Sequence, residues 1–132
     1  MLSGLFSRGF SAATDRGRSG EERAADFLRR TRGFHIVTRN WRNPQDQREE
    51  IDLVARDGEA LVFIEVKARA AGALVPGYFA VTRRKRRVLR RVCRTYLRLL
   101  RHRPRTYRFD VVEVELSAGE PIIRHFENVP LF

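Results

Sequence analysis

The spacing of apolar and polar positions predicts two helices and four or five strands. Ser19-Gly20-Glu21-Glu22 opens a helix, with Ser19 and Glu22 at capping-box spacing. Ala24, Ala25 and Leu28 recur at helical period, and Gly33 ends the segment. Phe34 to Trp41 reads as a strand, followed by a turn at Asn43-Pro44-Gln45-Asp46. Glu49 to Arg56 is a second strand, and Asp57-Gly58 is a hairpin turn signal. Ala60 to Ala68 is a third, apolar enough for the centre of a sheet. After a loop with Gly72, Pro76 and Gly77 comes the clearest helix, from Thr82 to Arg101. Val88, Leu89, Val92, Tyr96, Leu99 and Leu100 share one sector of ~100° on its helical wheel. Tyr107 to Leu116 is a strand, and Pro121 to Glu127 a candidate edge strand. The order α-β-β-β-α-β(-β) implies an α/β fold with a crossover helix and a mixed sheet flanked by helices.

Three charged residues interrupt strands that are otherwise apolar. Asp52 lies within Ile51-Leu53-Val54, and Glu65 and Lys67 lie within Val62-Phe63-Ile64-Val66. Strand alternation puts Glu65 and Lys67 on one face, and the hairpin brings Asp52 alongside. Unpaired carboxylates are costly in such a setting. One solution is a Glu65–Lys67 ion pair beside an edge aspartate. The other is a hard divalent cation, Mg²⁺ or Mn²⁺, held by Asp52, Glu65 and the main-chain carbonyl of Val66. Lys67 then orients a water and faces developing negative charge. Glu50 alternates onto the face of Asp52 as a further ligand or a supporting group.

Length and charge narrow the partners. A chain of 132 residues accommodates one domain, and 42% hydrophobic residues suffice for one core. Residues 1–18 read as a disordered basic arm and 19–132 as the folded domain. One cysteine, Cys93, excludes an internal disulfide, and three scattered histidines do not suggest a structural zinc site. No apolar run reaches membrane-spanning length, and the start lacks a secretory core, so the expected address is the cytoplasm. The net charge of +11 points to a polyanion. Residues 66–109 hold fifteen Lys and Arg and no acid. Arg83, Arg87, Arg90, Arg91, Arg94, Arg98 and Arg101 lie opposite the apolar face of the second helix, forming a stripe suited to phosphates. Coding bias explains Arg over Lys but not the missing acids. Lys85 falls on the apolar side instead, as an auxiliary cation near the carboxylates or as a snorkelling helix-end lysine. The expected partner is nucleic acid, DNA rather than RNA; a membrane surface is disfavoured, because the apolar helix face is needed for the core.

Asp52, then twelve residues, then Glu65-Val66-Lys67 resembles the PD-(D/E)xK motif of restriction-endonuclease-like nucleases. More closely, the chain resembles the YraN family of small bacterial proteins. Gly20-Glu21-x-x-Ala24, Arg39-Asn40, Glu50-Ile51-Asp52-Leu53, Val62-Phe63-x-Glu65-Val66-Lys67, Ala80-Val81 with Lys85, and Arg108-Phe109-Asp110-Val111-Val112 follow that family's signatures in order. The match covers about residues 16–128. It implies a restriction-endonuclease-like sheet similar to that of Holliday-junction resolvases and metal-dependent cleavage of DNA, branched DNA included. It also implies a metal role for Glu21, against a plain first-turn dipole contact. Resolvases act as dimers, so a homodimer is a candidate assembly. A non-catalytic nucleic-acid-binding module that keeps the fold is the alternative. Three departures bear on the site. Glu49 stands where the family has Gly, the Pro44–Arg48 turn is lengthened, and Phe79 replaces a Glu. The extra acid and the bulky loop residue are expected to alter metal affinity or substrate access.

Overall fold

The computed structural model describes residues 19–71, 82–117 and 119–132. The N-terminal arm and the Ala80-Val81 signature lie outside them. Helix α1 covers residues 19–31, followed by β1 (His35–Asn43), β2 (Asp46–Asp57), β3 (Ala60–Ala70), α2 (Arg83–Leu99), β4 (Thr106–Leu116) and β5 (Ile122–Phe126). The five strands form one sheet in the order β1-β2-β3-β4-β5. Only β3 and β4 run parallel, in register from Ala60↔Thr106 to Ala70↔Leu116; the other neighbours are antiparallel. The parallel pair follows from the crossover through α2, because parallel neighbours cannot be joined by a tight turn.

The strand and helix assignments agree with the sequence expectations, including the final edge strand. Each end differs by a few residues where polar positions still keep strand pairing. β2, for example, begins at Asp46 because the two-residue Pro44-Gln45 turn lets Asn43 and Asp46 face each other. Ser19, expected as a cap, lies within α1, and its hydroxyl accepts from Arg23 Nε at 3.1 Å. Gly33 does end α1, with φ +73°, a region glycine enters without steric cost. Thr82 caps α2, its hydroxyl accepting from the Lys85 N–H at 3.2 Å.

The sheet is covered on both faces. α1 lays Ala24, Ala25 and Leu28 on Leu53, Ala55, Val62, Ile64, Val112 and Val114. α2 covers the other face, placing Leu89, Val92, Cys93, Tyr96 and Leu97 on Ile51, Phe63, Phe109 and Val111. Leu61 to Ile64 are therefore buried on both sides, as a central strand between two helices requires. Five of the six residues expected on the apolar face of α2 pack on the core, Leu89, Val92 and Tyr96 buried and Val88 and Leu100 partly so. Cys93 and Leu97 face inward, while Leu99, expected in the core, is 61% exposed. Tyr96 belongs to the packed face, its ring meeting Trp41 at 5.1 Å and Phe63 at 5.6 Å, both edge to face. Leu99 is also the last helical residue. Cys93 is a core residue, burial pushing its thiol far above the ordinary range.

Gly20 sets how closely α1 approaches β3. A β-carbon there would stand 2.8 Å from the Ala68 Cβ, so helix or strand must move to admit it. Gly20→Ala should therefore lower stability by about 1–3 kcal/mol, measured by the denaturant midpoint. An unchanged midpoint would show that α1 yields freely at this end.

Candidate active site

The site forms where the β2–β3 hairpin opens. Its ladder runs from Asp57↔Ala60 to Leu53↔Ile64 and stops there. β3 continues along β4 to Ala70, while the first half of β2 pairs with β1. The next inward N–H on β3 belongs to Val66. It donates to the Asp52 carboxylate at 2.8 Å instead of to a β2 carbonyl. In an extended strand a residue's N–H and C=O point the same way, so the Val66 carbonyl faces the same opening.

Glu65 projects on the α2 side, 6% exposed. Its Oε1 lies 3.5 Å from Lys67 Nζ and 3.8 Å from Lys85 Nζ. The ion pair read from the strand alternation is thus present, and Lys85 turns to the sheet as the wheel predicts. Glu21 reaches the cluster from α1, on the other face. Its carboxyl is pushed up first by burial, with Glu50 and Glu65 adding to the rise, while hydrogen bonds with Asn40 and Asp52 oppose it. Asp52 is 9% exposed. Burial and then the charge on Glu65 push its carboxyl up to about 8, against the Val66 hydrogen bond, with Glu21 and Glu50 adding to the rise.

The arrangement gathers Glu21, Glu50, Asp52 and Glu65 within electrostatic reach of one another. Retaining a proton at Asp52 relieves part of that repulsion. A divalent cation would do the same with more charge. The donor set fits Mg²⁺ or Mn²⁺, which take hard oxygen ligands: Asp52, Glu65 and the Val66 carbonyl, with water completing the sphere. Among the described residues, no three His, Cys, Asp or Glu side chains form a ready-made cage.

Not every expected residue keeps the surroundings first assigned to it. Glu50 sits in the cluster's field but is held by Arg42 at 3.0 Å. Glu49 does not join the cluster, contrary to the expectation of an extra acid there. It is buried, with Arg91 Nη2 at 2.9 Å and Asn43 Nδ2 at 3.3 Å. Phe79 lies outside the described residues. In the arginine stripe, Arg83, Arg87, Arg94, Arg98 and Arg101 are exposed. Arg91 is drawn to Glu49, and Arg90 Nε donates to the Leu131 carbonyl at 2.8 Å. Phe34 packs in the core and Trp41 against it.

Asn40 is the residue whose part the sequence did not disclose. It belongs to a signature pair but carries no chemical pattern of its own. The structure puts it at φ +51°, a left-handed conformation asparagine tolerates, with its amide on Glu21. An asparagine in the middle of a strand pattern was the available signal.

Residues 20–114 match the uncharacterised protein family UPF0102. A UPF0102 protein of Geobacter metallireducens is 39% identical over 112 residues, covering 85% of this chain and 88% of that protein. A UPF0102 protein of Symbiobacterium thermophilum is 46% identical over 99 residues, covering 75% and 80%. One of Koribacter versatilis is 44% identical over 107 residues, covering 81% and 73%.

Proposed function

The chain belongs to the UPF0102 (YraN) family, and from that premise we propose that it is a metal-dependent nuclease of the restriction-endonuclease-like kind, hydrolysing DNA phosphodiesters in the cytoplasm. One observation carries the reading. Asp52, Glu65 and Glu21 converge from β2, β3 and α1 on an opening that the Val66 carbonyl faces, with Lys67 at its rim.

Asp52, Glu65 and the Val66 carbonyl would hold Mg²⁺ or Mn²⁺, with Glu21 and Glu50 in support. When bound, the ion lowers the pKa of a water and offsets negative charge developing on the phosphate. Lys67, on the strand face beside Glu65, would orient the attacking water and stabilise charge developing on the phosphate. The Asp52–Val66 hydrogen bond fixes β3 against β2, so carboxylate and carbonyl keep their separation. Exposed arginines of α2 bind backbone phosphates without reading bases. Among the described residues, no helix is long and apolar enough to cross a membrane.

A non-catalytic nucleic-acid-binding module has one observation in its favour. Lys67 and Lys85 both approach Glu65 Oε1, offsetting its charge with no metal. One experiment separates the two readings. Labelled duplex, single-stranded and four-way-junction DNA, and RNA, are offered with Mn²⁺, Mg²⁺ or EDTA, while melting is followed over a Mn²⁺ titration. The nuclease reading expects EDTA-sensitive cutting. It also expects a Mn²⁺-dependent rise in Tm, about 2.7 kcal/mol of stabilisation at 100 times Kd. Asp52→Asn/Glu65→Gln should lose both. Binding to every substrate with neither cutting nor a rise would establish the module.

A further inference from the structure

The exposed charge is distributed unevenly about the carboxylate site. On α1, acids and bases are mixed, with Arg29 bridged to Asp26 at 2.8 Å. On the β1–β2 hairpin, Arg42 meets Glu50 at 3.0 Å and Arg48 meets Asp46 at 3.0 Å. Among the described residues, α2 and the turn that follows it form the longest stretch of one sign. Arg83, Arg87, Arg94, Arg98 and, just past its end, Arg101 are exposed, and the helix contains no acid. Such like charges at i,i+4 oppose the free helix, and a polyanion relieves them.

α2 also has a direction relative to the site. Its first turn carries Lys85, 3.8 Å from Glu65, so the helix begins at the carboxylates. From there it runs for 17 residues, ~25 Å, its middle meeting Glu49 through Arg91 at 2.9 Å. The exposed face of α2 bears no aromatic side chain, and its tyrosine, Tyr96, is buried. Single-strand binders need such rings as stacking platforms. A guanidinium row without rings suits the phosphates of a duplex.

We propose that one duplex arm lies along α2, so that the protein grips its substrate on only one side of the scissile phosphate. This rests on the nuclease reading and adds a substrate geometry to it: long paired DNA on the α2 side, and as little as an end or a branch on the other. Lys85 to Arg98 spans 13 residues, ~20 Å, or about six base pairs.

The test measures the shortest flank tolerated on each side of the cut. Duplexes labelled at either end are digested with Mn²⁺, and the smallest product from each label is sized. The proposal expects minimum flanks differing by about six base pairs, with Arg94→Gln/Arg98→Gln shortening only the longer one. Equal flanks would overturn it. No cutting of any substrate sinks the nuclease reading, and duplex affinity against salt in EDTA then decides whether α2 carries the arm. Arg94→Gln/Arg98→Gln should flatten the log–log slope by nearly two, at ~0.9 per phosphate contact, while Arg29→Gln/Arg30→Gln leaves it unchanged. Equal changes in both variants, or none in either, would overturn the assignment of the arm to α2.

Discussion

On the proposed nuclease reading, Asp52→Ala and Lys67→Ala should each lower metal-dependent cleavage by at least about a thousandfold and leave duplex binding in place. The magnitude follows from removing several kcal/mol of charge stabilisation, each ~1.4 kcal/mol being tenfold in rate. The separation of effects follows from geometry. Asp52 and Lys67 stand at the hairpin opening, and the exposed arginines stand along α2. Asp52→Ala also strips the Val66 N–H of its acceptor, so Asp52→Asn serves as the control that can keep this hydrogen bond and loses only the charge. Single-turnover cleavage is read beside binding anisotropy in EDTA. If both alanine variants cut at the parental rate, the chemistry lies elsewhere.

Asp110→Ala will destabilise the fold by about 3–5 kcal/mol, more than Gly20→Ala, because it breaks a buried charge network. Asp110 is 0% exposed on β4. It accepts from Arg108 Nε at 3.0 Å and Nη2 at 3.2 Å, meets His125 Nε2 at 2.8 Å, and accepts from the Asn128 N–H at 2.9 Å. Burial alone would push its carboxyl up. The bonds from His125, Arg108 and Asn128 outweigh burial and hold it below the usual aspartate range. A carboxyl depressed by folding stabilises the native state above the unfolded value of ~3.9, and that contribution fades as pH falls through the lower folded value. Chemical denaturation at pH 7 should show the full deficit of Asp110→Ala. Below pH ~4 the gap to the parent should narrow. A deficit constant down to pH 2 would mean that packing, not charge, sets its size. The Arg108-Phe109-Asp110 signature is thus accounted for as structure: it ties β4 to β5 and, through Arg108 at 3.1 Å from Asp57, to the β2–β3 turn.

How much of this was legible beforehand depended on range. The helices and strands follow from periodicity, because each is a local pattern with local punctuation: Thr82 before α2, Gly33 after α1, Gly58 in the hairpin. Asp52, Glu65 and Lys67 were legible because charges within apolar strands demand an explanation, and alternation assigns the last two a common face. Glu21 required the family resemblance, since its meeting with Asp52 joins α1 to a strand of the sheet it covers, a contact that only packing makes. Glu49 was misjudged for the same reason. Adjacent in sequence to Glu50, it looked like one more acid at the site, yet only the packing of α2 brings Arg91 beside it.

By itself, the sequence determined the order of elements, the apolar central strand, the acids that could not lie idle there, and the acid-free arginine run. These depend on composition and on periods of two and 3.6 residues, which neighbours along the chain specify. Tertiary structure alone decided that β2 parts from β3 beyond Leu53, that the Asp52 carboxylate takes the Val66 N–H, and that Leu97 lies in the core while Leu99 lies outside it. Those outcomes depend on contacts between residues far apart in the chain, whose energies exist only once both faces of the sheet are covered.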